Sequence, residues 1–190
     1  YGHMGSIFAE RVLEIDNPTV ALLSIGGEEG KGNQLTRSTH ALLKDDNTVN
    51  YVGYIEGREI FEGKANVIVA EGFTGNVVLK LAEGLSKGIF KTIAHEAFEI
   101  DPDLAMKLQP VVESIYAKHD YHEHGGAPLM GANGICLICH GSSQPRTIHN
   151  AIRNALKYAE LNVNPEVSRR LIEAEEIIKA NKPAPAEVDA

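Results

Sequence analysis

The feature that most constrains this chain is a repeated order: a short β-branched or aromatic run, a glycine-bearing loop, then a helical pattern. Residues 19–25, 49–55 and 65–70 are such runs, and each is followed by a loop containing glycine. A fourth run, residues 134–139, is continuously apolar and reads as a strand buried on both faces. Helical patterns lie between and after them, over residues 34–43, 75–94, 145–161 and 165–179. A further helix is expected after Asp101, with that residue as N-cap and Pro102 at the first helical position. Its apolar residues Leu104, Leu108, Val111, Val112 and Ile115 keep the 3.6-residue period. Strands alternating with helices imply an α/β fold with an open, mostly parallel sheet and flanking helices.

Composition supports one globular body and narrows the classes. Of the 190 residues, 43% are hydrophobic and 23% charged, and the formal charge is −8. That balance argues against a duplex nucleic-acid binder, which needs a clustered basic excess. No apolar run approaches the roughly 18 residues of a membrane span. Cys136 and Cys139 form no disulfide framework, so a reduced cytoplasmic protein is expected. Residues 1–182 are read as one α/β domain and 183–190 as a disordered tail. At the start, residues 7–13 read as a helix without an evident cap. Gly2-His-Met-Gly-Ser6 reads either as its beginning or as a remnant of cloning. In either case the chain is expected to begin mid-architecture.

In α/β folds anions gather where strand ends meet helix starts, because orphan N–H groups and the helix dipole favour negative charge there. Three such junctions carry the candidate site residues. The first is Ser24-Ile-Gly-Gly-Glu-Glu-Gly-Lys-Gly-Asn33. Gly30, Gly32 and Asn33 let backbone amides approach a phosphate, and Lys31 adds a point charge. The Walker pattern is not met, because only three residues separate Gly26 from Gly30 and Gly32 stands where Ser or Thr would hold magnesium. The bland alternative is a flexible turn with a solvated lysine.

The second junction is Glu71-Gly-Phe-Thr-Gly-Asn-Val-Val-Leu-Lys80. Thr74 is the expected N-cap, and past Gly75 the Asn76 amide would stand near the positive end of the helix dipole. A neutral amide there can hold an oxyanion or polarise a carbonyl, or it can merely brace the loop. On the helix that follows, Lys80, Lys87 and Lys91 fall within about 40° of one another. Val78, Leu81, Leu85 and Ile89 lie opposite. The stripe suits an acidic protein or an anionic membrane surface, and equally an ordinary solvated face. The third junction is His140-Gly-Ser-Ser143, where His140 could shuttle a proton and Ser142 and Ser143 could hold phosphate. Two nearby patterns are set aside. Cys136-Leu-Ile-Cys-His140 resembles a haem attachment motif, but residues three apart on a strand point to opposite faces. His119, His122, Glu123 and His124 fit no standard zinc spacing.

Taken together, Ile25-Gly-Gly-Glu-Glu-Gly-Lys-Gly-Asn33, Ile55-Glu-Gly-Arg-Glu-Ile-Phe61, the Glu71–Lys80 motif, Gly125-Gly-Ala-Pro-Leu129 and His140-Gly-Ser-Ser143 resemble the bacterial phosphate acyltransferases of phospholipid synthesis, the PlsX family, in order and spacing. The resemblance implies an open α/β fold like that of isopropylmalate dehydrogenases and phosphotransacetylases. It implies transfer of an acyl group from acyl carrier protein to inorganic phosphate, without cofactor or metal. A homodimer in peripheral contact with the cytoplasmic membrane is also implied, as are roles for Lys31 and Asn76 in activity; His140 is a third catalytic candidate. Two departures stand out. The family's Asp-Gly-Phe is Glu71-Gly-Phe here. Full-length relatives also begin with a segment of comparable size bearing Asp-Ala-Met-Gly-Gly-Asp, whose absence would leave the site incomplete. Two other functions therefore stay open: a phosphotransacetylase acting on acyl-CoA, and a non-catalytic lobe that dimerises or docks on membrane.

Overall fold

A computed structural model describes residues 1–119, 125–141 and 143–181. The expected tail, Ser142 and the histidines at 122 and 124 lie outside the described residues. Two compact units are present: one comprises Tyr1–Val69, Met130–Ile135 and the chain from Lys157 onward, the other Ala70–Leu129 and Cys136–Leu156.

The first unit is built on a three-stranded parallel sheet in the order β2-β1-β3, formed by β1 (Thr19–Ser24), β2 (Asn50–Glu56) and β3 (Val67–Val69). This is the open parallel α/β arrangement that the alternation implies. Val20, Ala21 and Leu22 of the central strand are all buried, the signature of a strand covered on both faces. Val20 packs with Leu43 and Val49, and Tyr51, Val67 and Val69 close around them. β3 is shorter than the six residues expected. At its start the Asn66 side chain accepts from the Thr19 amide and hydroxyl, both at 2.9 Å, and the Asn66 amide donates to the Thr19 carbonyl at 3.1 Å.

Helix α1 (Gly2–Val12) begins five residues earlier than the periodicity suggests. Gly2-His-Met-Gly-Ser6 is thus part of a packed helix, with Gly2, Ser6 and Ile7 buried. His3 bridges to the turn before β2, with Nε2 2.7 Å from Asp46 and 2.9 Å from Thr48 Oγ1. Helix α2 (Gln34–Lys44) follows β1.

The ladder between β1 and β2 contains a bulge. Val20 pairs with Tyr51 but Ala21 pairs with Gly53, so one extra residue lies on β2. The extra residue resets the alternation, and Tyr51 and Tyr54, three apart, pair with Val20 and Leu22 and share their face.

The second unit is dominated by α3 (Gly72–Ile100) and α4 (Pro102–His119), which pack against each other. Asp101 between them is extended. Its carboxylate accepts from the Asp103 amide at 2.9 Å, so the Asp-Pro start of α4 is as the sequence implies. A hairpin of two-residue strands, β4 (Ala127–Pro128) and β5 (Leu137–Ile138), pairs antiparallel.

This corrects the expectation for residues 134–139. Instead of a strand buried on both faces, only Leu137 and Ile138 are extended in a ladder, and Ile138 is 54% exposed. The apolar run signalled burial, but its antiparallel partner is Ala127–Pro128 across residues 129–136, with Gly126 lying close against Ile138. Gly125 has φ +70°, and a Cβ there would lie 2.3 Å from the Ala151 nitrogen, so this glycine seats the chain against helix α5 (Pro145–Glu160). The chain continues into α6 (Val163–Asn181). In the first unit α6 is fastened to α1 through Arg170, whose two terminal nitrogens bond both Glu10 oxygens at 2.7 and 2.8 Å.

Candidate functional site

The loop after β1 is shaped by local chemistry. Asn33 is the N-cap of α2: its Oδ1 accepts from the Thr36 amide at 2.8 Å and from the Thr36 hydroxyl at 2.9 Å. One residue earlier, Gly32 sits at φ +88°, and its carbonyl accepts from Arg37 Nη1 at 2.5 Å. A Cβ at Gly32 would come within 2.9 Å of Thr36 Cβ and Cγ2, so the backbone lies against the helix start and only glycine fits. Gly30 also takes a positive φ, and the Lys31 amide donates to the Glu28 carbonyl at 3.2 Å. Lys31 itself is exposed. Gly30, Lys31, Gly32 and Asn33 thus form one continuous turn beyond the C-terminal end of the central strand.

The second candidate cluster differs from its expected geometry. The N-cap of α3 is Glu71, not Thr74. Its carboxylate accepts from the Phe73 amide at 2.8 Å, from the Thr74 amide at 2.5 Å and from the Thr74 hydroxyl. The Thr74 hydroxyl and then the two amides hold the Glu71 carboxyl below the ordinary range. The helix therefore begins at Gly72, and the presumed glycine loop is its first turn. Gly75 and Asn76 stand one turn inside, with Asn76 exposed. The dipole's reach falls off within that turn, so Asn76 does not stand at the helix end where the sequence pattern placed it. The Glu-for-Asp departure has a local meaning: the longer carboxylate is the cap. A Glu three residues before a Thr carries that signal, but acidic caps are more readily recognised as Asp.

His140 and Ser143 follow β5. His140 is exposed, its carbonyl accepts from the Ser143 amide at 2.9 Å, and the Ser143 hydroxyl is buried. Ser142 lies outside the described residues. Cys139 Sγ contacts the Gly125 carbonyl at 3.6 Å, while Cys136 is exposed. Among the described residues no group of three or more His, Cys, Asp or Glu side chains could hold a metal ion. Lys80, Lys87 and Lys91 are exposed as expected, but Leu81 and Leu85 opposite them are also more than half exposed. Among the described residues no helix is long and apolar enough to cross a membrane.

The Gly-Lys-Gly turn with its capped helix lies in the first unit, and Asn76 and His140 in the second. These features define an α/β protein with a glycine turn bearing an exposed lysine at the end of a parallel strand. The chain belongs to the family described as "Fatty acid synthesis protein", whose model matches residues 1–166. Among similar proteins is a phosphate acyltransferase of Geotalea uraniireducens, 46% identical over 175 residues, which cover 90% of this chain and 49% of the relative. Phosphate acyltransferases of Clostridium botulinum and Dictyoglomus thermophilum are each 44% identical over 172 residues, covering 52% and 50% of their lengths. The chain thus spans about half the length of the curated relatives it matches.

Proposed function

We propose that this chain carries part of the site of a phosphate acyltransferase that moves an acyl group from acyl carrier protein to inorganic phosphate. The observation that carries the reading is the Gly30-Lys31-Gly32-Asn33 turn, two glycines of positive φ flanking an exposed lysine beyond the end of β1. The names of the relatives support phosphate as acceptor; the acyl-carrier donor rests on the resemblance of the five motifs.

In this reaction a phosphate oxygen attacks the thioester carbonyl, the C–S bond breaks, and the thiolate of the carrier's pantetheine arm leaves with the electron pair. Acyl-phosphate and, after protonation, a thiol are the products. Phosphate is anionic at neutral pH and a thiol of pKa about 8.5 is a competent leaving group. The protein's work is then positioning and oxyanion stabilisation. Lys31 and the amides of Gly30 and Gly32 hold phosphate. Asn76 polarises the carbonyl, and His140 protonates the departing sulfur. The sequence motifs add Asn33, Gly75, Ser142 and Ser143 as candidates for binding phosphate or substrate. A homodimer and peripheral contact with the inner membrane face belong to the same reading, supported by the exposed lysine stripe and apolar residues of α3.

The test is acyl-phosphate formation from acyl carrier protein and phosphate, with this chain assayed beside the Geotalea uraniireducens relative. The counterparts of Lys31→Ala and Asn76→Ala are made in that relative and the same substitutions in this chain. Loss of one oxyanion donor lowers turnover by about 10²–10³. Near-normal turnover of the Asn76 variant would remove it from the mechanism. Turnover on acyl-CoA but not on acyl carrier protein would reassign the donor.

A further inference from the structure

Lys31 stands between two glycines of positive φ, Gly30 at +89° and Gly32 at +88°. Its stem lies back against the incoming limb of the loop: a Cβ on Gly26 would be 3.2 Å from Lys31 Cγ and 3.5 Å from Cδ. Gly32 is wedged in turn, since a Cβ there would lie 3.2 Å from Ser24 Oγ as well as 2.9 Å from Thr36. Where the ammonium points therefore depends on the backbone at Gly32. Glycine has the widest conformational freedom of any residue, so two of them around a lysine cannot hold one direction unaided.

Helix α2 supplies the restraint. In its first turn, Arg37 Nη1 donates to the Gly32 carbonyl at 2.5 Å. The Asn33 cap ties down the amide and hydroxyl of Thr36 but leaves that carbonyl to Arg37. At the other end of α2, Lys44 pairs with Glu29, the residue before Gly30. Arg37 and Lys44 stand two turns apart on one face of the helix, and each reaches one flank of the lysine turn. Between them His40 anchors the helix to β2: Nδ1 lies 2.7 Å from the Tyr51 hydroxyl, and the ring stacks on Tyr54 with centroids 4.3 Å apart. The two ties are unequal. Glu29 and Lys44 are both exposed, and an exposed ion pair is weak and fades with salt. A hydrogen bond from a charged guanidinium is roughly twice as strong as a neutral one.

We propose that Arg37 is a positioning residue for Lys31: its bond to the Gly32 carbonyl closes the turn and sets where the ammonium is presented. Lys44 is the weaker second tie. The inference rests on the reading of this turn as the place where phosphate is held, and it gives Arg37 a part in that site without contact to the anion.

Limited trypsin digestion of this chain, followed by mass spectrometry, reads the turn directly. Trypsin cuts the Lys31–Gly32 bond when the loop opens into an extended shape, so the rate tracks the open population. Arg37→Met keeps much of the stem but removes the donor, and should speed this cut about tenfold, the worth of one charged hydrogen bond. Arg37→Lys restores a donor and should return the rate toward wild type; Lys44→Gln should have a smaller effect. Cutting after Lys107 in the second unit is the reference, and thermal melts check that the variants stay folded. Inorganic phosphate, added at constant ionic strength, should slow the Lys31–Gly32 cut. The concentration giving half protection should rise about tenfold in Arg37→Met and recover in Arg37→Lys. A residue that only bound the anion would change protection and leave the cut of the free protein alone. Equal cutting of wild type and Arg37→Met without phosphate would overturn the proposal, as would half protection that ignores Arg37→Met. Phosphate that protects no form, while Arg37 still governs the cut, would count against the phosphate reading and for the clamp.

Discussion

Replacing Arg170 with Met tests how the first unit is held together. Arg170 makes a two-pronged bond to Glu10 on α1 and a 2.8 Å bond from Nε to Glu166 on its own helix. Breaking a fully buried pair costs about 3–5 kcal/mol, and an exposed one about 0–1 kcal/mol. This case falls between. The Glu10 side chain is 33% exposed and can rehydrate. Glu166, at 13%, keeps Arg169 at 2.8 Å and Arg11 at 3.2 Å. A loss of about 2 kcal/mol follows, partly offset by the methionine stem packing where the Arg170 stem lay. For a chain of this size it should lower the melting temperature by about 4–8 °C at pH 7.

The pH dependence gives an independent check. Bonding to Arg170 holds Glu10 below the ordinary carboxylate range, and Arg169 followed by Arg170 do the same for Glu166. A depressed folded pKa contributes stability that is present above the unfolded value and lost as pH falls through the folded one. The gap between wild type and Arg170→Met should therefore be full at neutral pH and narrow below about pH 4. Thermal denaturation followed by circular dichroism across that range measures it. A variant melting within about 1 °C of wild type at pH 7, or a gap that persists undiminished in acid, would refute the reasoning.

Other outcomes follow from the loops and helices. Gly32→Ala combines an unfavourable left-handed conformation, about 1–2 kcal/mol, with a clash against Thr36. It should weaken phosphate binding about tenfold or more, read by calorimetry, with a smaller change in melting temperature. Reversing Lys80, Lys87 and Lys91 to Glu should reduce binding to anionic liposomes or acyl carrier protein at low salt, and added salt should erase the difference. Identical isotherms would assign the stripe to solvent alone.

Much of the architecture was legible locally. Strand runs, the Asp101-Pro102 helix start and the glycine turn after β1 are encoded by neighbours within a few residues, through backbone conformation and side-chain capping. The turn bearing Lys31 was readable for that reason. Cap competition between Glu71 and Thr74 was harder, because both can satisfy the same amides and only the three-dimensional fit selects the longer carboxylate.

Residues 134–139 show where local reading stops. An apolar run announces a preference for burial but does not name its partner, and here the partner is the short antiparallel Ala127–Pro128. The β2 bulge is of the same kind. Nothing in Tyr51-Val-Gly-Tyr54 says that two tyrosines three apart will face one histidine; pairing with β1 decides it. Sequence alone determined the elements and the chemistry they carry, since those depend on short-range sterics and hydrogen bonds. Tertiary structure alone decided which side chains meet, because pairing and burial depend on contacts between segments far apart in the chain.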